Sequence, residues 1–236
     1  GIGLAVVKKL AAKGDVIATV RSVSKAAALT AISNVKLVQL EAESEESIAS
    51  AASEIAKLAP TGIDLLWNNI GVYNISGSKY AIDDIKLDTL NREITINAVA
   101  PILLTTKLLP LLAKRETKKV VFVTSLLGSI TAMGTALADF VRAYEIGYSY
   151  SASKTTLNAL INFLNIQHKP EGFTFIPIHP GLVETDMTAQ EELSLAASVP
   201  KLSPDASAEG MISVVENVTS EDKLVIRDYA GEEFPW

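Results

Sequence analysis

Short apolar runs alternate along the chain with longer stretches in which apolar residues recur every three or four positions. Val16–Val20, Val35–Leu40, Ile63–Trp67, Val120–Thr124 and Phe173–Ile178 are brief and mostly rich in Val and Ile, which predicts strands. Ile2–Lys13, Glu45–Leu58, Leu90–Ala113 and Ser151–Gln167 carry the helical spacing. Ser44 ahead of Glu45 and Glu46 is a suitable helix start, with acids at the positive end of the helix dipole. The acidic cluster Glu41–Glu46 therefore reads as a solvated helix entrance rather than a metal site. Strand–helix alternation with short links predicts an α/β fold, a doubly wound parallel sheet. No repeat or long linker divides the chain, so residues 1–236 read as a single domain.

Composition narrows the picture. Apolar residues make up 48% of the chain and aromatic residues 6%, which suits strands buried on both faces beneath Ala-rich helices. A net charge of −6 gives a nucleic acid backbone nothing to attract. Cysteine is absent, which excludes disulfides and thiolate metal sites. Ala98–Ala113 is the most apolar stretch, but Pro101, Lys107 and Pro110 interrupt it, so no membrane span is expected. Lys8, Lys9 and Lys13 break the apolar start and argue against a signal peptide. A cytoplasmic protein is the expectation. His168 and His179 read as helix-end and turn residues, and no metal is expected. Neither a Gly-x-Ser-x-Gly elbow nor a Gly-Lys phosphate loop occurs.

The candidate chemistry gathers at strand ends and at one helix start. Tyr150 and Lys154 are four apart, so a helix places them on one face. A free tyrosine titrates near ~10, and a neighbouring ammonium, joined by a cationic ring, lowers that value by favouring phenolate. Ser125 follows an apolar strand at the edge where α/β sheets bind ligands, with Gly128 close behind. Trp67-Asn68-Asn69-Ile70-Gly71 and His179-Pro180-Gly181-Leu182-Val183-Glu184-Thr185 are further turns of polar and small residues after strands. Gly1-Ile2-Gly3 opens directly into a helix, an entrance suited to an anion but weak evidence by itself. Pro101 deprives the Asn97 carbonyl of its intrahelical donor, so a kink is expected there.

Taken in order, these residues resemble the short-chain dehydrogenase/reductase family along essentially the whole chain. Gly1-Ile2-Gly3 looks like the end of its Gly-rich cofactor motif. Asn68-Asn69-Ile70-Gly71 looks like its Asn-Asn-Ala-Gly motif, with Ile70 where Ala is usual. Ser125, Tyr150-x-x-x-Lys154 and Asn97 match its catalytic Ser, Tyr, Lys and helical Asn. The ending Asp228–Trp236 is similar to a branch of carbonyl reductases with C-factor-like and fungal ketoreductase-like members. The resemblance implies a Rossmann-type fold and hydride exchange between a nicotinamide cofactor and a carbonyl or alcohol substrate. It implies that Tyr150 is the acid, Ser125 hydrogen-bonds the substrate oxygen, Lys154 holds the ribose, and the Asn97 carbonyl holds a relay water. Gly1, Ile2, Gly3, Arg21, Glu41, Ala42, Asn69, Ile70, Gly71, Tyr150, Lys154, Pro180, Gly181, Val183 and Thr185 are the implied cofactor contacts. Val20 stands where NAD-preferring sites place a carboxylate, and Arg21 follows, so NADP(H) is expected over NAD(H), with Lys25 a further cation nearby. A homo-oligomer, dimer or tetramer, fits the same resemblance.

Two departures stand out. Ser125 and Tyr150 are 25 positions apart, about twice the family's usual gap. The intervening Met133, Phe140, Val141 and Tyr144 read either as a wall or lid of the substrate pocket or as a surface insertion. The strand expected before Gly1 lies outside the sequence, and an additional N-terminal segment carrying it is expected. Two rivals remain: a non-catalytic cofactor-sensing relative, and an enzyme of the same fold that dehydrates or epimerises.

Overall fold

A computed structural model describes residues 1–73, 82–143, 147–188 and 200–236. Helices α1 (Ile2–Ala11), α2 (Ala27–Thr30), α3 (Glu45–Leu58), α4 (Leu87–Ile94), α5 (Ala100–Leu112), α6 (Ile130–Gly134), α7 (Ala138–Ala143), α8 (Tyr148–His168) and α9 (Pro204–Asn217) enclose the strands. These are β1 (Val16–Val20), β2 (Val35–Gln39), β3 (Leu65–Asn68), β4 (Lys119–Val123), β5 (Thr174–His179), β6 (Ile226–Asp228) and β7 (Glu233–Phe234). Pairing is parallel between β1 and β2 and through β3-β4-β5-β6, and β7 turns back antiparallel on β6.

Alternation along β4 divides the core. Val120 and Phe122 face Leu112 of α5 and Leu157, Ile161 and Leu164 of α8. Val121 faces the opposite layer, where Ala5 and Val6 of α1 pack beside Ala208, Met211 and Val215 of α9. Both layers are covered, which is why this strand is apolar at successive positions. A third cluster joins Val38 and Leu40 to Ile48, Ala51 and Ile55 of α3 and to Leu104 and Leu108 of α5.

Among the described residues β1 and β3 do not pair with each other. A cleft of about 1090 Å³ lies between them, bordered by Val16–Val20, Leu65–Asn68 and residues of α1.

The expected helix Leu90–Ala113 starts earlier and is three pieces. Between α4 and α5, residues Thr95–Val99 form a π turn, in which the Ala100 N–H donates to Thr95 O, five residues back. The widened turn accommodates Pro101, which cannot donate to Asn97. Leu87–Leu112 is long and apolar enough to cross a bilayer by length and composition. In the fold, Leu104, Leu108 and Leu111 are spent on the core against α3. The helix expected from Ser151 begins at Tyr148, so Tyr150 lies in its first turn. α9, β6 and β7 were not anticipated. α9 is announced by Ser203-Pro204-Asp205, where the Ser203 hydroxyl accepts from Ala206 N–H at 3.1 Å.

Candidate active site

The first turn of α8 has no side-chain cap of its own. Two tyrosine hydroxyls tie it to neighbouring loops instead. Gly147 N–H donates to the Tyr73 hydroxyl at 3.2 Å, and the Tyr148 hydroxyl accepts from Lys86 N–H at 2.6 Å. One turn on, Lys154 is 3% exposed, and its ammonium lies 5.7 Å from the centre of the Tyr150 ring. Lys154 Nζ donates to the carbonyl of Val123, the last residue of β4, at 2.9 Å.

Ser125 begins a short 3-10 turn at Leu126–Gly128, and its hydroxyl lies near enough to the Tyr150 phenol to favour the phenolate. The 25 intervening positions therefore do not separate the two groups in space. Gly128 permits the close approach: a Cβ there would lie 2.8 Å from the Lys154 backbone carbon and 2.9 Å from Asn158 Nδ2. Asn158, buried two turns beyond Tyr150 on α8, clamps both ends of the Ser125 turn. It accepts from Thr124 Oγ1 at 2.6 Å and donates to Gly128 O at 3.0 Å.

Asn97 is wholly buried. Its side chain grips the Val72 backbone, accepting from the N–H at 2.7 Å and donating to the carbonyl at 2.9 Å. It also donates to Ser153 Oγ at 2.9 Å, which binds the Tyr150 carbonyl at 2.7 Å. Asn158, Ser153 and Thr124 did not stand out in the sequence. Only the helical offset of four from Lys154 to Asn158 pointed toward one of them.

Burial decides the electrostatics. It pushes the Tyr150 phenol well above the ordinary tyrosine value; the Ser125 hydrogen bond works against this, while Glu93 and Tyr73 add to it. The expectation that Lys154 and a cationic ring lower the phenol value does not hold for the protein by itself, where desolvation of the phenolate sets the direction. Lys154 is pushed down to about 8 by burial, with Glu93 opposing. The ammonium form still predominates at neutral pH.

The cofactor-side residues fall in two groups. Gly3, Arg21, Glu41, Ala42, Asn69, Ile70 and Gly71 all line the cleft between β1 and β3. Lys25 is not among its lining residues. Gly1, Pro180, Gly181, Val183 and Thr185 do not line it; a Cβ on Gly1 would touch Thr185 Cγ2 at 3.4 Å, which sets the loop after β5 against the start of α1. Ile2 packs into the α1–α9 core. Gly71 links the groups, since a Cβ there would lie 3.6 Å from Lys154 Nζ. Gly181 has φ +79°, and a Cβ would meet Leu202 at 2.7 Å, so glycine is required at this turn. Val183 is bridged to Leu202, which holds the loop in place. α1 has no side-chain cap and no acid in its first turn, so its N-terminal amides and dipole suit a pyrophosphate. Gly3 brings that helix within 2.9 Å (from a would-be Cβ) of the Asn69 amide. The residues fit a dinucleotide.

Met133, Phe140 and Val141 lie on or near α6 and α7, and all are partly buried. Tyr144 lies outside the described residues.

His179 ends β5 with Nδ1 buried and without a hydrogen-bond partner among the described residues. Burial lowers its value from 6.5 to about 4, against an opposing pull from Asp228. The unfolded chain takes this proton first as pH falls. Its stabilising contribution is therefore complete above about 6.5 and is lost on acidification toward about 4. We expect the melting temperature to fall across that window, and His179→Gln to flatten the decline; an equal slope in the variant would refute the assignment.

The short chain dehydrogenase family model matches residues 1–195. An uncharacterized oxidoreductase of Schizosaccharomyces pombe is 33% identical over 252 residues, spanning 100% of this chain and 94% of that protein. The C-signal protein of Myxococcus xanthus is 34% identical over 174 residues, 74% of this chain and 93% of its own length. The crystal structure of NADPH-bound carbonyl reductase from chicken fatty liver aligns with a TM-score of 0.83 at 26% identity, covering 100% of this chain and 95% of that one. A parallel sheet, a bare helix N-terminus and a Ser–Tyr–Lys cluster are thus joined to similarity along the chain. The protein belongs to the short-chain dehydrogenase family.

Proposed function

We propose that this oxidoreductase is an NADP(H)-dependent carbonyl reductase, with Tyr150 as the proton donor. The observation that carries the reading is the convergence of Ser125, Tyr150 and Lys154 beside Gly71, with Asn69 against the first turn of α1. The cofactor, when bound, supplies the hydride. Tyr150 gives its proton to the substrate oxygen, and the Ser125 hydroxyl donates a hydrogen bond to the same atom. Lys154 offsets the charge left on the phenolate. Its ammonium also sits beside Gly71, where it can hold the ribose. A panel of ketones, aldehydes and quinones, followed by NADPH consumption, tests the reading. Tight NADPH binding without turnover of any of them would favour the cofactor-sensing alternative.

The preference for NADP(H) is read from Arg21. It follows β1, is exposed, lines the cleft and makes no ion pair among the described residues. A forked guanidinium suits a 2′-phosphate, while Val20 offers nothing to bind two ribose hydroxyls. Wild type is expected to show higher kcat/KM with NADPH. Val20→Asp with Arg21→Ala should shift the cofactor ratio toward NADH by about 10- to 100-fold, the worth of one or two charge-assisted hydrogen bonds. A wild type that prefers NADH would refute this reading of Arg21.

A further inference from the structure

The geometry points to Tyr73 as a positioning residue of this site: its ring holds the Tyr150 ring in its reacting orientation. This rests on the carbonyl-reductase reading above. Tyr73 stands two residues past Gly71 in a turn with no regular structure of its own. Its ring meets that of Tyr150 edge to face, with centroids 4.9 Å apart and planes at 64°. That arrangement sets the edge of one ring against the face of the other and resists rotation of both. The hydroxyl at the far end of Tyr73 accepts from Gly147 N–H. Gly147 is the residue from which α8 starts, three before Tyr150.

The support beneath Tyr73 is rigid. Asn97 holds both backbone groups of the adjacent Val72 and, through Ser153, the Tyr150 carbonyl. One buried amide thus fixes the main chain on both sides of the ring pair. The Tyr150 ring has the Tyr73 ring against it from the segment after β3 and the Lys154 ammonium 5.7 Å from its centre. Tyr73 is its aromatic contact among the described residues. Without that ring the phenol gains both rotation and solvent.

Two arms test this in the full-length protein. In the first, the protein is labelled with fluorotyrosine, and the Tyr150 fluorine resonance is identified by its loss in Tyr150→Phe. Tyr73→Leu should move that resonance, and Tyr73→Phe, which keeps a ring, should leave it near its wild-type position. In the second, Tyr73→Leu should lower kcat for carbonyl reduction by about ten-fold or more, with NADPH affinity within about two-fold. Tyr73→Phe should restore most of kcat. An unmoved resonance in Tyr73→Leu overturns the proposal, as do equal losses in the Leu and Phe variants. If wild type reduces no carbonyl compound, the function reading fails, and the fluorine arm still decides whether Tyr73 holds Tyr150.

Discussion

Tyr150→Phe should lower carbonyl-reducing turnover by about 10²- to 10⁴-fold, the usual contribution of a positioned general acid. The substitution removes one hydroxyl and leaves the ring, so the edge-to-face contact with Tyr73 and the cover over Lys154 are retained. Melting temperature and NADPH affinity should therefore stay near wild type while kcat collapses. Turnover comparable to wild type, or a loss of NADPH binding in step with kcat, would remove Tyr150 from the assigned role.

Gly128→Ala should damage both stability and activity. A methyl at this position would lie 2.8 Å from backbone and Cβ atoms of Lys154 and 2.9 Å from Asn158 Nδ2. The side-chain amide could swing away, but the backbone of α8 cannot move without leaving its core contacts at Leu157 and Ile161. Overpacking of this kind costs about 1–3 kcal/mol, which for a chain of this size lowers the melting temperature by roughly 2–12 °C. Any relief that pushes α8 outward also separates Tyr150 from Ser125 and breaks the Asn158 clamp on the turn. Gly134→Ala is the control: a Cβ there meets nothing within 4 Å. It should be neutral or slightly stabilising. If Gly128→Ala melts with wild type and retains its kcat, the close approach of α8 to the Ser125 turn is not a constraint on this protein.

The periodic parts of the molecule were legible in the sequence. β1 and α3 fall where the apolar pattern puts them, because alternation and helical spacing report which face of an element meets the core. Tyr150 and Lys154 were legible as a pair for the same reason, as was the disturbance at Pro101. The short β6 and β7 were not, since three- and two-residue strands carry too little pattern.

The site's internal wiring was decided by the tertiary structure. Asn97 meets Ser153 across 56 positions, and Asn158 meets Thr124 across 34. Polar partners so distant leave no periodic trace, because each contact depends on two elements docking against each other. Tyr73 was one tyrosine among six until the turn after β3 came against α8. The direction of the Tyr150 shift was settled at the same level. A four-residue offset brings an ammonium near the phenol, but loss of solvent is a property of everything packed around it, and in the folded protein that loss prevails.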